Sequence, residues 1–144
     1  MLKGWMVLGV ILGLAGCATS PVGRDAAKPA PASRLYAYQG APSATDGTLT
    51  VIRDSGFLGK GCGILVYVDG KEAALLAAGE KVSFNVPQGD HLLAAGPSGH
   101  GLCGVGGGKD GEARVIKLTA TPAHEELFRI AMTQDAISIM QTSL

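Results

Sequence analysis

The chain is 144 residues long with Lys plus Arg and Asp plus Glu balanced at 12 each, so one domain is expected and no basic field exists to hold a phosphate backbone; nucleic acid is not an expected partner. The 22 glycines concentrate between Gly56 and Gly111, which speaks for tight turns and loops rather than long helices. Three cysteines, Cys17, Cys62 and Cys103, are too few for a disulfide-dense miniprotein.

In chain order, Lys3 is a charged start and Trp5 to Leu14 an apolar stretch, too short to span a bilayer comfortably and proportioned like a signal-peptide core. Leu14, Ala15 and Gly16 then precede Cys17, small residues that let a peptidase admit an extended backbone. This stretch resembles the lipobox of bacterial lipoproteins. The resemblance implies that residues 1–16 are a removable signal peptide and that the Cys17 sulfur carries a thioether-linked diacylglycerol, with acylation of the new amino group. Several acyl chains make a stable membrane anchor, since each buried methylene contributes about 0.8 kcal/mol. Ala18 and Thr19 follow, with no Asp directly after the cysteine, which by resemblance to lipoprotein sorting in enteric bacteria implies an outer-membrane, periplasm-facing location in the cell envelope. Residues 17–33 place Pro21, Pro29 and Pro31 among Ala, Ser and charged residues, a composition too poor in apolar side chains to order itself. They are expected to form a tether holding the domain roughly 20 to 50 Å from the membrane.

Residues 34–144 read as an all-β domain, a small antiparallel β-sandwich, because short apolar alternations are separated by turn residues. Leu35 to Tyr38 is a candidate first strand, and Thr48 to Asp54 a second with Leu49 and Val51 on one face. Gly61 to Asp69 sets Cys62, Ile64, Val66 and Val68 on one face and Leu65 and Tyr67 on the other. Asp69-Gly70 predicts a type I′ hairpin into Lys71 to Leu76. Lys81 to Val86 alternates without a break, Pro87-Gln88-Gly89-Asp90 suits a type II turn, and His91 to Ala95 follows. Beyond the Gly-rich stretch from Gly96 to Gly111, strands are expected over Ala113 to Thr119, Glu126 to Met132 and Ala136 to Met140. Thr121-Pro122 leaves a helix open as an alternative for the segment through Met132.

The runs Val68-Asp69-Gly70-Lys71, Gly79-Glu80-Lys81 and Phe84-Asn85-Val86-Pro87-Gln88-Gly89-Asp90-His91 resemble the small β-sandwich modules of envelope lipoproteins, similar to PEGA and carboxypeptidase-regulatory-like domains. This resemblance covers about the middle third of the chain and rests on turn chemistry. It implies a fold, and it carries over no catalytic residue and no cofactor.

In the oxidising compartment that the lipobox implies, Cys62 and Cys103 are expected to pair as a disulfide, the alternative being two isolated buried thiols. Gly99 to Gly104 fits G-x-G-x-x-G, but Gly106, Gly107 and Gly108 oppose the helix that motif requires. Gly108-Lys109 is followed by Asp110 and is no P-loop, and Gly96 to His100 falls short of a nucleophile elbow. The acidic residues stand singly and read as solvated positions. The expected role is therefore non-catalytic, structural or protein-binding, with no metal. The rival is a small envelope enzyme or metal-handling protein using the Gly-rich loop with His91, His100 and Cys103.

Overall fold

The computed structural model describes residues 19–56, 61–98, 113–133 and 136–143. Among these, nine strands and one 3-10 turn are formed: β1 (Lys28–Pro29), the turn Ala32–Arg34, β2 (Asp46–Arg53), β3 (Ile64–Val68), β4 (Lys71–Leu76), β5 (Glu80–Pro87), β6 (Gly89–Pro97), β7 (Arg114–Ala120), β8 (Glu125–Met132) and β9 (Ile137–Gln141). They make a five-stranded sheet ordered β1-β5-β2-β8-β9 and a four-stranded sheet ordered β4-β3-β6-β7. The inward positions of both, among them Leu49, Val51, Ile64, Val66, Phe84 and Ile130, form one buried core. This is the expected all-β sandwich, and the helix left open for Thr121 to Met132 is replaced by β8.

The local chemistry explains most of the order. Asp69 and Gly70 both sit at positive φ, 52° and 77°, as a type I′ turn demands, and Lys71 returns opposite Val68. The Pro87 to Asp90 turn does something an isolated hairpin would not: β5 belongs to one sheet and β6 to the other, so the chain changes layer there, with Gly89 at φ 123°, a conformation that side chains disfavour.

Three expectations are corrected. The sandwich is not antiparallel throughout, because β8 pairs parallel to β2 and β1 parallel to β5. After β7 the chain crosses back between the layers at Thr121 to His124 and enters beside the start of β2, so β2 and β8 must run the same way. Gly47 makes the crossing possible: a Cβ there would lie 2.8 Å from the Thr121 carbonyl oxygen. Alternation reports which face a residue occupies but not strand direction, so this was invisible in the pattern.

Leu35 to Tyr38 is not a strand; Leu35 makes only an isolated bridge to Ala74, and Tyr38 turns to φ 58° with its ring edge-on to Phe84 at 6.4 Å.

The segment expected to hang free as a tether is packed against the domain from Thr19 onward. Ser20 bridges Ser55, and Ala27, with Val22 beside it, covers Ile52 and Leu127 on the outer face of the five-stranded sheet. Lys28–Pro29 then adds an edge strand, a position where a proline does not interrupt a central ladder. Low apolar content is enough here because the sheet supplies the partner surface that the segment lacks by itself.

Candidate functional site

Two polar clusters stand at opposite ends of the sandwich. At the end where β2 and β8 terminate, Arg53 and Asp54 are successive residues and therefore face opposite sides of the sheet. Arg53 shares the inward face of Leu49 and Val51 and is 1% exposed. Its Nη1 donates to the carbonyls of Cys62, at 2.6 Å, and Leu76, at 2.7 Å. One guanidinium thus ties β2 to the start of β3 and the end of β4, across the two layers. Burial pushes its pKa down, partly offset by the nearby charge of Glu80.

Asp54, equally buried, faces outward under the N-terminal segment. It accepts Arg129 Nε at 2.8 and 2.9 Å and Arg129 Nη2 at 2.8 Å, a planar multi-point pairing suited to guanidinium and carboxylate. The expectation that every acidic residue lies on a solvated face is corrected at this position. Thr19 closes the arrangement from above: its N–H donates to the Met132 carbonyl at 3.1 Å, and its Oγ1 accepts the Met132 N–H at 2.9 Å. Between this segment and the sheet lies a groove of about 260 Å³ lined by Pro21, Val22, Arg24, Ile52, Leu127 and Arg129.

At the far end His91, 9% exposed, is gripped on both ring nitrogens. Nε2 lies 2.7 Å from the Pro87 carbonyl and Nδ1 2.7 Å from Asp69 Oδ2. The carbonyl can only accept, so Nε2 carries a proton, and a second proton on Nδ1 meets the carboxylate. Burial opposes that charge, but the hydrogen bonds to Asp69 and Pro87, with the attraction of Asp69 and Asp90, outweigh it and raise the His91 pKa. Burial likewise opposes ionisation of Asp69, yet the Leu92 N–H and His91 hold its carboxyl below the usual range. The cluster joins the β3–β4 turn to the β5–β6 turn.

Its pH signature follows from these directions. The His91 interaction is fully present below the unfolded-state value near 6.5 and is lost as pH rises through the higher folded value. The Asp69 contribution is present above its unfolded-state value near 3.8 and is lost as pH falls through the lower folded value. Urea unfolding is expected to show a midpoint that declines from pH 6 toward pH 9, and His91→Gln to flatten that decline; an unchanged slope in the variant would remove His91 as its cause.

Of the residues named from sequence, Cys17, His100 and Cys103 lie outside the described residues. Cys62 stands two residues ahead of β3, half-buried, and its carbonyl accepts Arg53 Nη1 at 2.6 Å. His91 has both nitrogens committed to the fold, which removes it from the constellation of the rival reading. Arg53, Asp54 and Arg129 were not singled out. The signal for Arg53 was present: it continues the parity of Leu49 and Val51, and a charge on a core-facing position must be bonded. Nothing local joined Asp54 to Arg129, 75 residues away.

Among the described residues no group of three or more His, Cys, Asp or Glu could hold a metal ion, and no helix is long and apolar enough to cross a membrane. The fold and its clusters define a small two-layer β-protein with each end clamped by a buried charged group. No protein-family model, no curated protein and no solved structure matches the chain.

Proposed function

We propose that this chain is a lipid-anchored protein of the bacterial cell envelope, held through Cys17 in the outer membrane and facing the periplasm, with a structural or protein-binding role and no catalysis of its own. The observation that carries the reading is the order Leu14-Ala15-Gly16-Cys17, after a charged start and a short apolar run, placed immediately before a folded β-domain. The polar clusters support the non-catalytic part: His91, Asp69, Asp54 and Arg129 spend their hydrogen-bonding groups on one another and on backbone. In the same reading Cys62 pairs with Cys103, fastening the Gly-rich segment to the edge of β3. A disulfide closing a loop of about 40 residues contributes roughly 4 kcal/mol in the chain-entropy account.

Intact-mass measurement on protein extracted from bacterial membranes tests both parts. The expected species begins at Cys17, carries the mass of a diacylglycerol and further acyl groups, and takes up no iodoacetamide before reduction. Cys17→Ser is expected to leave the chain uncleaved and without lipid. Lipid on the serine variant would sink the anchor, and two alkylated thiols in unreduced protein would sink the disulfide.

A further inference from the structure

We infer that the domain is seated on the bilayer by the end at which β2 and β8 terminate, with the phospholipid headgroup layer as its docking partner. This rests on the lipoprotein reading and changes what that reading implies about geometry. Thr19 is fastened to Met132 through two hydrogen bonds, and Ser20 and Ser55 exchange backbone bonds at 2.7 and 3.0 Å. Only Ala18 separates Thr19 from Cys17. Two trans peptide units span at most about 8 Å between Cα atoms, so the acylated residue cannot be farther than that from the docked Thr19. A free leash over residues 17–33 would hold the domain tens of ångströms away; the docked segment removes that freedom.

The chemistry of this end suits the contact. Among the described residues, those around the fastening point, Ser20, Ser55, Gly56, Gly61, Thr133 and Ala136, carry no charge. The described charges beside them, Asp54 and Arg129, are paired, and Arg53 is turned inward onto carbonyls; Lys60 and Asp135, next to Gly61 and Ala136 in sequence, lie outside the described residues. Farther along the same end, toward β1, stand the exposed Lys28 and the Arg34–Glu80 ion pair at 2.6 Å. Bringing neutral Ser, Thr and Gly against headgroups costs little desolvation, whereas an exposed carboxylate would lose hydration. The opposite end displays Asp69, Lys71, Asp90 and Lys117 to solvent, and strands of eight residues place it about 25 Å farther from the anchor.

Tryptophan quenching in vesicles tests the seating. The chain has a single Trp, Trp5, which leaves with the signal peptide, so an introduced Trp reports alone. Lipidated full-length protein carrying Gly61→Trp, Thr133→Trp or Gln88→Trp is reconstituted into phosphatidylethanolamine–phosphatidylglycerol vesicles brominated near the headgroups. A Cβ at Gly61 meets nothing within 4 Å, and Thr133 and Gln88 are exposed. Quenching roughly threefold stronger at Gly61 and Thr133 than at Gln88 is expected of an interfacial contact. Inserting about 12 Gly/Ser residues between Ala18 and Thr19, a reach of roughly 20 Å, should abolish the difference. Equal quenching at all three sites in lipidated, vesicle-bound protein overturns the seating and leaves the anchor standing, whereas protein without lipid on Cys17 overturns both.

Discussion

Arg129→Met is expected to lower the unfolding free energy by about 4 kcal/mol, the cost of leaving a buried charge without its partner. The Asp54 side chain is fully buried and that of Arg129 is 26% exposed, so the two single changes are unequal. Without Arg129, Asp54 keeps only a long 3.5 Å approach from Thr19 Oγ1 and has no access to water. In Asp54→Ala the guanidinium can turn to solvent, and the loss should be about 2 kcal/mol. The double variant should be no worse than Asp54→Ala, since the apolar Met stem packs beside Ile52 and Leu127 with no charge left to bury. Urea unfolding of the four proteins completes the cycle. Strictly additive losses would show that the pair contributes nothing beyond its two separate side chains.

Arg53→Met should cost about 3 kcal/mol, because it strips the donor from two carbonyls, those of Cys62 and Leu76, inside the protein at roughly 1–3 kcal/mol for each group left unsatisfied. Arg53→Lys should recover only part. An ammonium keeps the charge and, like Nη1, could donate to both carbonyls from one nitrogen, but its shorter stem has less reach and it gives up the Nη2 contact with Met132 Sδ at 3.5 Å. The measurement is again the urea midpoint, and a Lys variant as stable as the parent would show that a single charged donor, without the guanidinium's reach, is enough to hold the layers together. Because Arg53 bridges layers while the Asp54–Arg129 pair fastens the outer face, the two sets of changes probe different seams of the sandwich.

The proposed seating of the domain gives the Asp54–Arg129 pair a second meaning. Thr19 bonds to Met132, three residues along β8 from Arg129, and approaches Asp54 itself. Loosening that corner frees the segment that joins the fold to Cys17, so a variant that weakens the pair should also behave toward the vesicle surface as the spacer insertion does.

Residue pattern alone determined the strands from Ile64 to Pro97 and the hinge chemistry between them, since alternation, Asp69-Gly70 and Pro87 with Gly89 are short-range signals enforced by backbone sterics. It also determined the all-β class, and the inward faces of β2, β3 and β5 follow directly from their period of two. Tertiary structure decided what no short window encodes. Strand direction in the β2–β8 pair depends on where the chain crosses between layers. The ordering of residues 19–33 depends on an outer sheet face with Ile52 and Leu127 to cover, and a segment judged by its own composition has no such partner in view. The charged seams depend on pairs such as Asp54 and Arg129 meeting across 75 residues, where burial turns ordinary surface residue types into the clamps of the fold.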